Sequence, residues 1–203
     1  MSSEGSGGAV GGQFQPEERR VVNRKVAILG HSFVRNLPLP ACIPYGVGNE
    51  NIALSRRFFL PGATIESIQQ GRVWQRFLEY RPNLTFLLIG GNDITSQSQP
   101  ANIARAIITL AKRVRDLTCG EVKIITIENR PAPHRISAVR YNRQRTSINR
   151  YLKHRDPFTV GRLVFAEATD RDSQDGVHLR DSAMEDLAHN LTWHIEQFEA
   201  RNW

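Results

Sequence analysis

The 203-residue sequence is poor in cysteine, with only Cys42 and Cys119. Two thiols so far apart make neither a disulfide framework nor a zinc ligand set, which points to a reducing, intracellular and so cytoplasmic setting. No window approaches the roughly 18 apolar residues that a membrane-spanning helix needs. The first fifteen residues are Gly/Ser-rich without an apolar stretch, so they do not read as a secretory signal. Neither a phosphate-cradling glycine loop nor a dinucleotide fingerprint occurs, which argues against a nucleotide cofactor, and no cofactor is expected. Asp170, Asp172 and Asp175 lack the glycine and terminal glutamate of a calcium-binding loop. His189 and His194 are five residues apart, not the four that would let them share a metal on one helix face. Acid is missing from one long segment. Between Arg130 and Arg155 stand eight Lys/Arg and no Asp or Glu, whereas the remainder is nearly balanced, so the net charge of +7 is a local feature. Such a patch can attract phosphate or nucleic acid, or it can be a solvated helix face.

What is present is an ordinary globular composition, 40% hydrophobic and 23% charged, in a chain long enough for one substantial domain. Residues 1–22, with five glycines in the first twelve, read as a disordered N-terminal tail, and residues 23–203 as the domain. Val26-Ala27-Ile28-Leu29 is a strand buried on both faces, followed by Gly30-His31-Ser32. Pro38 to Glu50 reads as loop. A short strand, Arg57 to Leu60, ends at Pro61-Gly62, and helical spacing runs from Ile65 to Leu78 with Gly71 dividing it. Leu84 to Ile89 is a third strand, cut by Gly90-Gly91-Asn92-Asp93. An amphipathic helix through Ile103, Ile107, Leu110 and Val114 follows, with Gly120 placed to end it. Val122 to Ile127 is a fourth strand and Leu163 to Phe165 a fifth. Between them a helix through Ile148 and Leu152 groups Arg143, Arg150 and Lys153 on another face. Met184, Leu187, Leu191, Ile195 and Phe198 mark a terminal helix. This alternation predicts an α/β fold: a three-layer α/β/α sandwich around a five-stranded parallel sheet. Ser32, Gly62, Asn92 and Arg130 all follow strands, so all four are expected at the carboxyl edge, where such sheets bind ligands.

Ester hydrolysis through a serine needs a base, a group that orients the base, and donors for the oxyanion. In Asp175-Gly176-Val177-His178 the aspartate can take the Nδ1 proton of His178 and leave Nε2 to face a serine. Gly62 lets its backbone N–H approach a substrate, Asn92 offers a side-chain amide, and Ser32 offers its own N–H. Each feature alone is commonplace: serines after strands cap helices, glycines make turns, and Asp-x-x-His recurs by chance. All four in this order, each at the same sheet edge, are not commonplace.

In these four blocks the chain resembles the SGNH (GDSL-type) hydrolase superfamily, over about Lys25 to Phe198. Gly30-His31-Ser32 matches the first block, Pro61-Gly62-Ala63 the glycine block, Gly90-Gly91-Asn92-Asp93 the third and Asp175-Gly176-Val177-His178 the last. The resemblance implies a flavodoxin-like fold with Ser32 as nucleophile in a triad with Asp175 and His178. It also implies an oxyanion hole of Ser32, Gly62 and Asn92, and a small ester as substrate. The chain departs from the family at His31, where an aspartate is usual. Two functions follow from the whole reading. One is a cofactor-free serine esterase that removes a small, acetyl-like acyl group. The other is an SGNH-like binding module, of a kind also encoded by mobile elements, contacting nucleic acid or protein through Arg130, Arg143, Arg150 and Lys153.

Overall fold

The computed structural model describes residues 23–45, 49, 51–155 and 180–201. The N-terminal tail, the strand expected at 163–165, and the pair Asp175 and His178 lie outside the described residues.

The buried run around Ala27 forms β1 (Asn23–Gly30), with Val26 to Leu29 sealed from solvent on both faces. Among the described residues it lies at the centre of a five-stranded sheet with β2 (Cys42–Tyr45), β3 (Asn51–Phe59), β4 (Leu84–Leu88) and β5 (Glu121–Ile124), in the order β2-β3-β1-β4-β5. β1 pairs in parallel with β3 and β4, and β4 with β5. β2 runs antiparallel to β3, so the sheet is mixed and not wholly parallel as expected. The segment read as loop from Pro38 to Glu50 supplies this strand. Its Pro44 lacks an N–H to donate, which an edge strand tolerates and a central one does not. β3 also starts earlier than the expected Arg57, because the backbone at Ile52 to Leu54 is paired on both sides.

Two cores flank the sheet. On one face Ala27, Leu29, Leu87 and Ile124 pack against α1 (Gly71–Tyr80), α2 (Pro100–Thr118) and α3 (Ala138–Arg155). On the other face Val26, Ile28, Phe86 and Leu88 meet Phe33, Val34 and α4 (Asp181–Arg201). The apolar positions expected on the terminal helix, Met184 through Phe198, are those buried there. The expected break at Gly71 is present: a 3-10 turn at Ser67–Gln69 precedes α1.

The end of α2 differs from expectation in an informative way. Cys119, not Gly120, takes the left-handed cap conformation, at φ 56°. Gly120 is needed for another reason, since a Cβ there would sit 2.4 Å from the Pro82 carbonyl oxygen. The chain must pass that close for Glu121 N–H to reach the Asn83 carbonyl at 2.8 Å and start β5.

Candidate active site

β1 lies between β3 and β4, so the loops that leave the carboxyl ends of these three strands are neighbours. In open α/β sheets this reversal of strand order opens a crevice. Ser32 follows β1, Gly62 follows β3 and Asn92 follows β4. Topology therefore puts the serine between the other two.

Each loop has its own local cause. Ser32 begins a short 3-10 helix, Ser32–Asn36, anchored by Phe33 and Val34 in the core. The end of β1 is tied to both neighbours: His31 N–H donates to the Leu88 carbonyl (3.3 Å), and Leu60 N–H donates to that of Gly30 (3.1 Å). His31, where the family usually has aspartate, is buried with its ring edge-on to Phe33 at 5.1 Å. Gly62 has φ 71°, a conformation that favours glycine, and the space where a Cβ would project is open. The turn itself therefore calls for glycine here, and the open side leaves room for a substrate to approach the Gly62 N–H.

The third block clamps the second. Asn92 Nδ2 donates to the Ala63 carbonyl at 2.9 Å, and Ile65 N–H donates to both carboxylate oxygens of Asp93 at 3.2 Å. Burial pushes the Asp93 carboxyl up to about 6, outweighing the hydrogen bond from Ile65 that pulls it down.

Arg130 completes the edge. It follows β5, as expected, but its side chain turns inward and is only 6% exposed. Nη1 donates to Asn92 Oδ1 at 2.8 Å. The guanidinium lies 5.5 Å from the ring centre of Phe33 and 5.7 Å from that of Tyr141. Gly91 makes room for it, since a Cβ there would meet Arg130 Nη2 at 2.8 Å and the Tyr141 hydroxyl at 3.1 Å. A cleft of about 600 Å³ opens here, lined by Gly62, Asn92, Arg130, Ile94, Ile136 and Tyr141, with the exposed His134 and Arg135 also contributing.

The remaining basic candidates do not join this edge. Arg143, Arg150 and Lys153 are exposed on α3. Among the described residues, no group of three His, Cys, Asp or Glu side chains could hold a metal ion, and no helix is long and apolar enough to cross a membrane.

The whole length can be compared with known proteins once this geometry is in view. A family model described as GDSL-like lipase/acylhydrolase matches residues 11–191, nearly all of the chain. The chain belongs to that family. As a GDSL-like acylhydrolase it is an SGNH-type esterase by descent, and its sheet and helices follow the fold of solved relatives. The structure is similar to a lipase/acylhydrolase from Enterococcus faecalis, with a TM-score of 0.60 and 16% identity over 86% of this chain and 96% of that one. It is also similar to the psychrotrophic esterase EstA from Pseudoalteromonas, at TM-score 0.57 and 13% identity, covering 89% of this chain and all (100%) of that one. A peptidoglycan O-acetylesterase gives TM-score 0.53 and 13% identity over 74% of this chain and 48% of that one. No curated protein sequence matches it.

Three features of this acylhydrolase's edge escaped the sequence reading: the inward turn of Arg130, the clamp made by Asp93, and the buried carboxyl of Glu128 near Arg130 and Arg145. Only the position of Arg130 after a strand signalled its place, because a basic residue opening a basic run otherwise reads as surface.

Proposed function

We propose that the protein is a serine-dependent carboxylic ester hydrolase that removes a small acyl group through an acyl-enzyme. Ser32 Oγ attacks the ester carbonyl while His178 Nε2 takes its proton, and Asp175 holds the imidazole by accepting from Nδ1. The carbonyl oxygen, now an oxyanion, is held by the N–H groups of Ser32 and Gly62 and by Asn92 Nδ2. The tetrahedral centre collapses, the C–O bond to the alcohol breaks, and His178 returns the proton to the departing alkoxide. Water then repeats the sequence on the acyl-enzyme, releasing the acid and restoring Ser32.

The observation that carries this reading is the fixed orientation of Asn92. With Oδ1 facing Arg130 and Nδ2 facing the Ala63 carbonyl, one amide hydrogen is committed. Among the described residues the second is uncommitted, beside the cleft next to the serine's strand. That one of the similar structures is an O-acetylesterase is in line with a small acyl group.

A fluorophosphonate probe tests the nucleophile directly. Mass spectrometry should find the label on Ser32, and Ser32→Ala should lose both labelling and p-nitrophenyl acetate turnover with an unchanged melting temperature. Full turnover in that variant would overturn the assignment.

A further inference from the structure

We infer that Arg130 is a positioning residue of the oxyanion hole, acting on substrate only through the Asn92 amide. The inference rests on the reading of Asn92 as an oxyanion donor. A side-chain amide can turn over and exchange its oxygen for its nitrogen, and only its partners decide between the two. Arginine has donors and no acceptor, so Nη1 at 2.8 Å requires Oδ1 on its side. The Ala63 carbonyl has only acceptors, so at 2.9 Å it requires Nδ2 on the other. The two partners agree. A flipped amide would set donor against donor and acceptor against acceptor.

Arg130 is itself held in place. Its guanidinium lies against the rings of Phe33 and Tyr141, at 5.5 and 5.7 Å, and fits against Gly91 only because that residue has no Cβ. Phe33 is the residue after Ser32, so one buried cation braces the serine loop and the asparagine loop together. A positive charge on the carbonyl end of the amide also pulls electron density from Nδ2. It therefore strengthens the N–H bond to an oxyanion more than the bond to a neutral ester oxygen. That difference lowers the barrier without tightening the ground state.

The test compares Arg130→Met, Arg130→Gln and Arg130→Lys on p-nitrophenyl acetate and on the anionic mono-p-nitrophenyl succinate. Arg130→Met should lower kcat by about 10- to 100-fold, with KM within about twofold for both esters. Arg130→Gln restores a donor without charge and should recover part of the loss. Arg130→Lys keeps the charge and covers the case in which the methionine variant fails to fold. In an Asn92→Ala background the Arg130 substitutions should cost nothing further, because the group they position is gone. Additive losses, or a KM rise confined to the anionic ester, would overturn the inference and make Arg130 a direct contact. Full activity in Asn92→Ala would instead sink the oxyanion reading itself. Side-chain amide NMR supplies a readout that needs no turnover: the Asn92 NH2 pair should shift and exchange faster in Arg130→Met. An unchanged pair would also overturn the inference.

Discussion

Glu128 is a carboxyl that water does not reach. It is 1% exposed, and neither oxygen has a hydrogen-bond partner among the described residues. Burial pushes it from 4.5 up to about 7, against the attraction of Arg130 and Arg145. The folded protein therefore holds a proton that the unfolded chain releases near pH 4.5. The stability that this group contributes should be fullest below pH 4.5 and fall as pH rises to about 7, by up to about 3 kcal/mol. Asp93, pushed from 3.8 to about 6, adds an effect of the same sign at lower pH. Urea unfolding of Glu128→Gln across this range should show the slope between pH 4.5 and 7 reduced and the variant more stable than the parent at pH 8. An unchanged slope would mean that Glu128 is ionised in the folded state at a paired site. Nothing in the sequence marks this glutamate, because its burial depends on how α3 closes over the end of β5. Ser32, Gly62 and Asn92 were legible for the opposite reason: each sits just past an apolar run whose end fixes its place at the sheet edge.

At the scale of elements, helix and strand interiors were readable and their edges were not. Apolar spacing located α1, α2 and α4 because periodic burial is what makes those helices stable. β2 was missed because an edge strand needs neither an apolar run nor a full set of donors. β5 stops at Ile124 and not at Ile127, because a side chain replaces a strand there. Asn149 of α3 accepts from Ile127 N–H through Oδ1 and donates to its carbonyl through Nδ2, both at 2.8 Å. Farther up the same helix, Gln144 donates to the Thr95 carbonyl (3.0 Å) and accepts from Ser98 (2.7 Å), holding the loop after Asn92. These polar anchors lie buried on α3 beside Tyr141, Ile148 and Leu152. Asn149→Leu leaves the buried Ile127 N–H without this partner, while the carbonyl keeps Arg145, and should lower the unfolding free energy by about 1–3 kcal/mol, read from urea titration. A loss below about 0.5 kcal/mol would show that water or another group takes over the bonds.

Across the whole molecule the basic segment divides in two. Arg130 is buried at the site, and Arg145 reaches back to the Ile127 carbonyl at 3.3 Å and to Asn142. Arg140 donates to the Ser96 carbonyl. These cations hold loops near the carboxyl edge of the sheet, with carbonyls and amides as their partners. Of the others, the exposed Arg135 lines the cleft, and Arg143, Arg150 and Lys153 are exposed on α3. Three surface charges in physiological salt, where screening sets in within about 8 Å, attract a polyanion weakly. Replacing all three with glutamine should leave esterase turnover and melting temperature unchanged. Fluorescence anisotropy with a single-stranded RNA should show no saturable binding at about 150 mM salt in either protein. Saturable, steeply salt-dependent binding by the parent, lost in the triple variant, would make α3 an interface and not a solvated face. The esterase reading would stand in either case, because no charge on that face lines the cleft beside Asn92.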